Sequence, residues 1–172
     1  APLDETPHHD VPVVDKVHAP VVILGTGLAG YGLAKEFRKY DDSTPLILIT
    51  SDDGRSYSKP MLSTGYTKNH SANDLAQLDA GSMARLLKAS VWTMTRVNEI
   101  DTAQQLIKVG DAQTAIHYSK LVLAVGAEVI SPPLQGDALE RVYSVNDLLD
   151  YDDFRTAVAK NNVRKVCIIG GG

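Results

Sequence analysis

Hydrophobic residues in this chain gather into short continuous runs, separated by amphipathic stretches and polar loops. Val21-Val22-Ile23-Leu24 is apolar without interruption, as expected of a parallel strand covered on both faces. From Leu28 to Tyr40 the pattern becomes helical, with Leu28, Tyr31, Leu33, Ala34 and Phe37 on or near one face, and Asp41-Asp42-Ser43-Thr44-Pro45 stops it. Leu46-Ile47-Leu48-Ile49-Thr50 reads as a second buried strand, which completes a β-α-β unit of about 30 residues. Leu121-Val122-Leu123-Ala124-Val125 is a third, ending at Gly126-Ala127, and Val166-Cys167-Ile168-Ile169 begins a fourth.

The intervening segments are less regular. A loop from Ser51 to Lys59 leads into short helical pieces near Pro60 and Asn73, then a helix over Ser82–Ala89 and a short strand over Val91–Met94. Val97–Asp101, Gln105–Val109 and Ala115–Tyr118, with a turn at Gly110-Asp111, predict a small β-meander. Ser144-Val145-Asn146-Asp147 has the form of a capping box with Asp in place of Glu or Gln, opening a helix to about Lys160. Residues 1–19 hold Pro2, Pro7 and Pro12 without periodicity and read as a flexible linker or tail. The expected fold class is α/β: a Rossmann-like domain with a parallel sheet and a small β-meander, ending at the start of a second Rossmann domain.

The 172 residues are 44% apolar and 22% charged, ordinary for a globular domain with a core. A net charge of -4 supplies no basic field, so nucleic acid is not an expected partner. No apolar run approaches the roughly 20 residues that cross a bilayer, so membrane insertion is not expected. The start, Ala1-Pro2-Leu3-Asp4-Glu5, lacks the basic and apolar regions of a signal peptide, and the expected location is cytoplasmic. It also lacks a methionine, which suggests a piece of a longer protein. Cys167 is the only cysteine, which excludes an internal disulfide and any Cys-rich metal site. His8, His9, Asp10 and His18 have nothing to fix a ligand geometry, and no metal site is expected.

The first strand runs directly into Gly25-Thr26-Gly27-Leu28-Ala29-Gly30, a complete G-x-G-x-x-G that opens the helix. Gly25 suits a tight turn, Gly27 lets backbone approach a pyrophosphate, and Gly30 allows the helix close to the strand. The last strand runs into Gly170-Gly171-Gly172, so the same opening occurs twice and points to two dinucleotides. A carboxylate about 20 residues past the fingerprint commonly takes the adenosine ribose. Asp52 and Asp53 are the candidates, with Asp52 preferred as nearer the strand end and Thr50 and Ser51 beside it.

Arg55-Ser56-Tyr57-Ser58-Lys59-Pro60-Met61-Leu62-Ser63, following Asp52-Asp53-Gly54, is a narrower signal. With the fingerprint and Tyr118–Ala127, it resembles the FAD-dependent pyridine nucleotide reductases and, among them, the rubredoxin–NAD(+) reductases. The resemblance covers about Pro20 to Gly172. It implies an FAD-binding domain, first part, over 20–162, and over 163–172 the first strand and glycine turn of an NAD-binding domain. It implies that Gly25, Thr26, Gly27, Leu28, Ala29 and Gly30 hold the FAD pyrophosphate and that Thr50, Ser51 or Asp52 meets the ribose. It implies Val97 at the adenine through its backbone, Ala124 and Gly126 at the flavin, and Lys59, beside Pro60, as the catalytic residue near the isoalloxazine. Gly170 and Gly172 would belong to the NADH site, most of which lies past this sequence.

The implied activity passes electrons from NADH through FAD to rubredoxin or another small iron protein. Related reductases serve ferredoxin, flavorubredoxin or nitrite reductase systems, and a non-catalytic dinucleotide-binding module is the alternative of a different class. The disulfide reductases of this fold carry a Cys-x4-Cys pair soon after the second strand. Here that stretch has no cysteine, so electrons would leave the flavin directly.

Overall fold

The computed structural model describes residues 19–169. They pack as two compact units, one comprising residues up to Ser58 with Ala76–Ala127, the other Lys59–Leu75 with residues from Glu128 onward.

The first unit is built on four parallel strands: β1 (Val21–Leu24), β2 (Leu46–Ile49), β5 (Ser90–Trp92) and β9 (Lys120–Leu123), in the order β5-β2-β1-β9. α1 (Leu28–Tyr40) joins β1 to β2, as the sequence predicts. Register alternation sends side chains to opposite faces. Val22, Leu24, Ile47, Ile49 and Trp92 pack beneath the antiparallel meander of β6 (Val97–Asp101), β7 (Leu106–Val109) and β8 (Thr114–His117), where Ile107, Val109 and Tyr118 complete the cluster. Ile23, Leu46, Leu48 and Val91 face α1 and α4 (Ala80–Leu87), meeting Tyr31, Ala34, Met83 and Leu87. Full burial of each large apolar side chain is worth about 1.5–3 kcal/mol, which explains why the strands read as unbroken hydrophobic runs. The layered arrangement confirms the Rossmann-like expectation.

Two details differ from the sequence reading in this unit. β3 (Ser56–Tyr57) and β4 (Ala76–Leu78) form an antiparallel pair that no periodicity announces, because two or three residues are too few to show one. The helix expected over Ser82–Ala89 begins earlier, at Ala80, because Asp79 caps it: its carboxylate accepts the Ser82 N–H at 2.6 Å. That hydrogen bond, ahead of smaller contributions, holds the Asp79 carboxyl below the usual carboxylate range. A depressed pKa means stabilisation present above the unfolded-state value and lost as pH falls through the folded one. Asp79→Ala is therefore expected to lower stability by about 1 kcal/mol at neutral pH. Urea melts should show the gap closing in acid.

The second unit contains α2 (Met61–Gly65), α3 (Ala72–Leu75), a short 3-10 turn at Leu139–Arg141 and α5 (Leu148–Lys160). Tyr151 of α5 is buried and donates from its hydroxyl to the His70 carbonyl at 2.7 Å. A Cβ on Gly65 would meet Leu75 Cδ1 at 2.7 Å and the Tyr151 hydroxyl at 3.1 Å, so the tips of these side chains pack directly against the glycine. The cap of α5 is Asp147, not Ser144: Asp147 accepts the Asp150 N–H at 2.8 Å, and Asp150 reaches back to the Asn146 N–H at 2.8 Å. Asp147 wins because its own carboxylate is a stronger acceptor for the helix N–H groups than a serine hydroxyl three residues earlier. The strand expected at Val166–Ile169 is unpaired among the described residues, and Ile168 is 82% exposed. A strand needs a neighbour to satisfy its backbone, and no described strand lies beside it.

Candidate functional site

In the first unit the chain goes from β1 to β2 on one side and returns to β1 as β9 on the other, so the β1/β9 boundary is a topological switch point. Ligands of open parallel sheets bind outside the carboxyl ends of strands at such a point. The glycine turn stands there. Gly25 has φ +103° and donates its N–H to the Ile49 carbonyl at 2.7 Å, while Ala124 donates to the Leu24 carbonyl at 2.8 Å. A Cβ on Gly25 would overlap the Ala124 carbonyl oxygen and sit 2.8 Å from its carbon. A Cβ on Gly30 would overlap the Gly25 carbonyl oxygen and sit 2.9 Å from its carbon. Gly27 is different: a Cβ there meets no atom of the described residues within 4 Å. Packing of the protein thus accounts for the first and third glycines but leaves the second with open room in front of it.

Gly27 is also the N-cap of α1, with no side-chain cap and no acid in the first turn. The first N–H groups of the helix have no side-chain acceptor among the described residues, and the helix places no acid of its own at the positive end of its dipole. Leu28, 76% exposed, and the exposed Ala29 cover none of this. Across the switch point, Gly126 adopts φ +70° in open surroundings, and Ala124 is half-buried.

The acidic turn after β2 is wired to the same turn. Asp52 Oδ1 accepts from the Thr50 hydroxyl at 2.8 Å, the Gly54 N–H at 2.9 Å and the hydroxyl of buried Thr26 at 3.3 Å. Asp53 serves another purpose. Its two oxygens take the Arg55 N–H at 3.1 Å and Arg55 Nε at 2.6 Å, and the Arg55 side chain is only 6% exposed. Of the two sequence candidates, Asp52 is therefore the one that faces the fingerprint. Thr95 donates its backbone N–H to the Thr50 carbonyl at 2.8 Å and Met94 to the Asp52 carbonyl at 2.9 Å, which fixes the approach to Val97 at the head of β6. Ser51 is exposed beside them.

Lys59 and Pro60 fall in the second unit. Pro60 is the N-cap of α2, and the exposed Lys59 ammonium donates to Asn146 Oδ1 at 2.6 Å. Gly170 and Gly172 lie outside the described residues, as do His8, His9, Asp10 and His18. Trp92 and Tyr118 are core residues, and the His70 carbonyl accepts from the Tyr151 hydroxyl. Among the described residues no group of three or more His, Cys, Asp or Glu could hold a metal ion, and no helix is long and apolar enough to cross a membrane. The sequence reading gave no site role to Tyr31 or Asn146 and did not foresee the pairing of Asp53 with Arg55. The Asp-Gly step at 53–54 was the available signal for the turn, since Gly54 has φ +70°.

A parallel sheet with a glycine turn at its switch point defines a Rossmann-type domain. The chain belongs to the pyridine nucleotide-disulphide oxidoreductase family, whose pattern matches residues 19–172. It is 48% identical over 153 residues to the rubredoxin-NAD(+) reductase of Alcanivorax borkumensis, covering 89% of this chain and 39% of that protein. It is 38% identical over 155 residues to the enzyme of the same name from Acinetobacter baylyi, with the same two coverages. The fold also matches a putidaredoxin reductase crystallised as a covalent complex with putidaredoxin (TM-score 0.68, 24% identity, 81% of this chain and 34% of that one). The chain thus spans about two fifths of the length of the curated relatives it matches, at 39% for each.

Proposed function

We propose that this chain carries the FAD-binding part of a flavoenzyme that moves electrons from NADH to rubredoxin or another small iron protein. The observation that carries the reading is the room at Gly27: a glycine at the start of α1, at the switch point, whose missing side chain no atom of the described residues exploits. A pyrophosphate seated on the first-turn N–H groups explains both the glycine and the uncapped helix. Rubredoxin as acceptor is supported by the names of relatives as similar as 48% identity.

In this reading Gly25 to Gly30 hold the pyrophosphate, Thr50, Ser51 and Asp52 meet the ribose, and Val97 offers backbone to the adenine. Asp52 Oδ1 is occupied within the turn by three donors, which leaves Oδ2 for ribose hydroxyls. Ala124 and Gly126 border the flavin. FAD supplies the redox chemistry, taking a hydride as two electrons and releasing them singly. The protein supplies position and electrostatics. The only cysteine is Cys167, so no dithiol follows β2 to intercept the electrons. A cytoplasmic location, where NADH is available, goes with this function.

Lys59 is assigned to the flavin N5 region, where its charge favours the negative charge that builds up on reduction. Asn146 suits that task as a partner: an amide oxygen orients the ammonium without neutralising it, as a carboxylate would. Lys59→Met in the full-length protein is expected to retain FAD, to slow flavin reduction by NADH about tenfold, equivalent to ~1.4 kcal/mol, and to lower the flavin potential. An unchanged rate and potential would make Lys59 an ordinary surface lysine. The function as a whole is tested by the absorption spectrum of the full-length protein. Bound flavin that bleaches with NADH and recovers on adding oxidised rubredoxin is the expected result, and a colourless protein with no affinity for FAD would overturn it.

A further inference from the structure

Tyr31 follows the last fingerprint glycine, yet its hydroxyl acts on the turn after β2. The residue is 3% exposed, and its O–H donates to the Gly54 carbonyl at 2.5 Å. The Gly54 N–H is held at the same time by Asp52 Oδ1 at 2.9 Å. Gly54 is thus pinned from both sides, from α1 through its carbonyl and from Asp52 through its N–H. A side chain there would be strained and crowded, because φ is +70° and a Cβ would lie 2.8 Å from Thr93 Cγ2 and 3.0 Å from Ala80 Cβ. Burial, followed by the charges of Asp52, Asp53 and Asp79, pushes the Tyr31 phenol up, so it remains an O–H donor across the working pH range. The apolar cluster around Ile23, Leu48 and Met83 would be served equally well by phenylalanine. The hydroxyl has a separate task.

We propose that Tyr31 is a positioning residue for the nucleotide site: its O–H fixes the Asp52–Gly54 turn so that Asp52 turns Oδ2, which has no protein donor among the described residues, toward an adenosine ribose seated on the fingerprint. The ligand class is an adenine dinucleotide. The proposal rests on the reading of Asp52 as ribose acceptor.

The test is a double-mutant cycle on FAD affinity of the full-length apoprotein, using Tyr31→Phe and Asp52→Asn, well below the melting midpoint of every variant. Tyr31→Phe is expected to weaken FAD binding about tenfold, through misplacement of the carboxylate rather than loss of fold. Asp52→Asn is also expected to weaken it. The double variant should lose little more than the worse single variant, since both act on one contact. A purely structural Tyr31 would lower the melting midpoint and leave affinity intact, and that result overturns the proposal. Losses that multiply in the double variant overturn it as well. Wild-type affinity in Asp52→Asn would instead remove the ribose reading itself, and the proposal with it.

Discussion

Gly27→Val in the full-length protein is expected to give a folded protein that elutes without flavin. The backbone at Gly27 has φ -66° and ψ -171°, which valine adopts without strain. Beyond its immediate chain neighbours, no atom of the described residues lies within 4 Å of the new Cβ. Replacing glycine as N-cap by an apolar residue costs no more than about 1 kcal/mol, too little to unfold a domain of ordinary stability. The branched side chain would instead fill the approach to the first-turn N–H groups and keep a pyrophosphate from them. Loss of affinity should exceed 100-fold, or about 2.7 kcal/mol, the scale set by several charge-assisted hydrogen bonds lost together. FAD retained at wild-type stoichiometry would show that the pyrophosphate does not sit there.

Gly30→Ala should do the opposite and damage the fold itself. The added Cβ would overlap a backbone carbonyl oxygen, that of Gly25, which cannot swing aside as a side-chain tip can. Relief requires α1 to lift from β1, opening the cluster of Ile23, Tyr31, Ala34 and Leu48. Overpacking costs of about 1–3 kcal/mol are a lower bound for such a clash, against a total of about 5–15 kcal/mol. The expected outcome is insoluble expression, or a urea midpoint far below wild type. Gly32→Ala is the control: it is two residues along the same helix, with no atom of the described residues within 4 Å of its Cβ, and should gain about 0.5–1 kcal/mol. Equal stability of the two alanine variants would contradict the close approach of helix and strand.

The contrast between Gly27 and Gly30 also marks what could be read from the sequence. β1, α1 and β2 were legible because a strand buried on both faces and an amphipathic helix each leave a strong periodic trace, and the fingerprint lies between them. The meander was legible for the same reason, with strand ends displaced by a residue. The β3–β4 pair was not, since its stability comes from partners some twenty positions apart rather than from any local pattern. Helix starts moved to Asp79 and Asp147 because several residues in each stretch could serve as cap, and tertiary geometry chooses among them. At the site, residue types pointed to Asp52 or Asp53, but only the fold shows Asp53 occupied by a buried arginine. The hydroxyl of Tyr31 was invisible for a similar reason: in the sequence it is one more aromatic on the apolar face of a helix.

The β3–β4 ribbon has a topological consequence. Tyr57 stands opposite Ala76 across an antiparallel pair, so the points where the chain leaves and re-enters the layered unit are neighbours. Such ends are close enough for a two-residue hairpin turn to bridge. None of the residues in the two core clusters comes from Lys59–Leu75. The length and sequence of that stretch are thus free of the packing constraints that those two clusters impose on the rest of the layered unit.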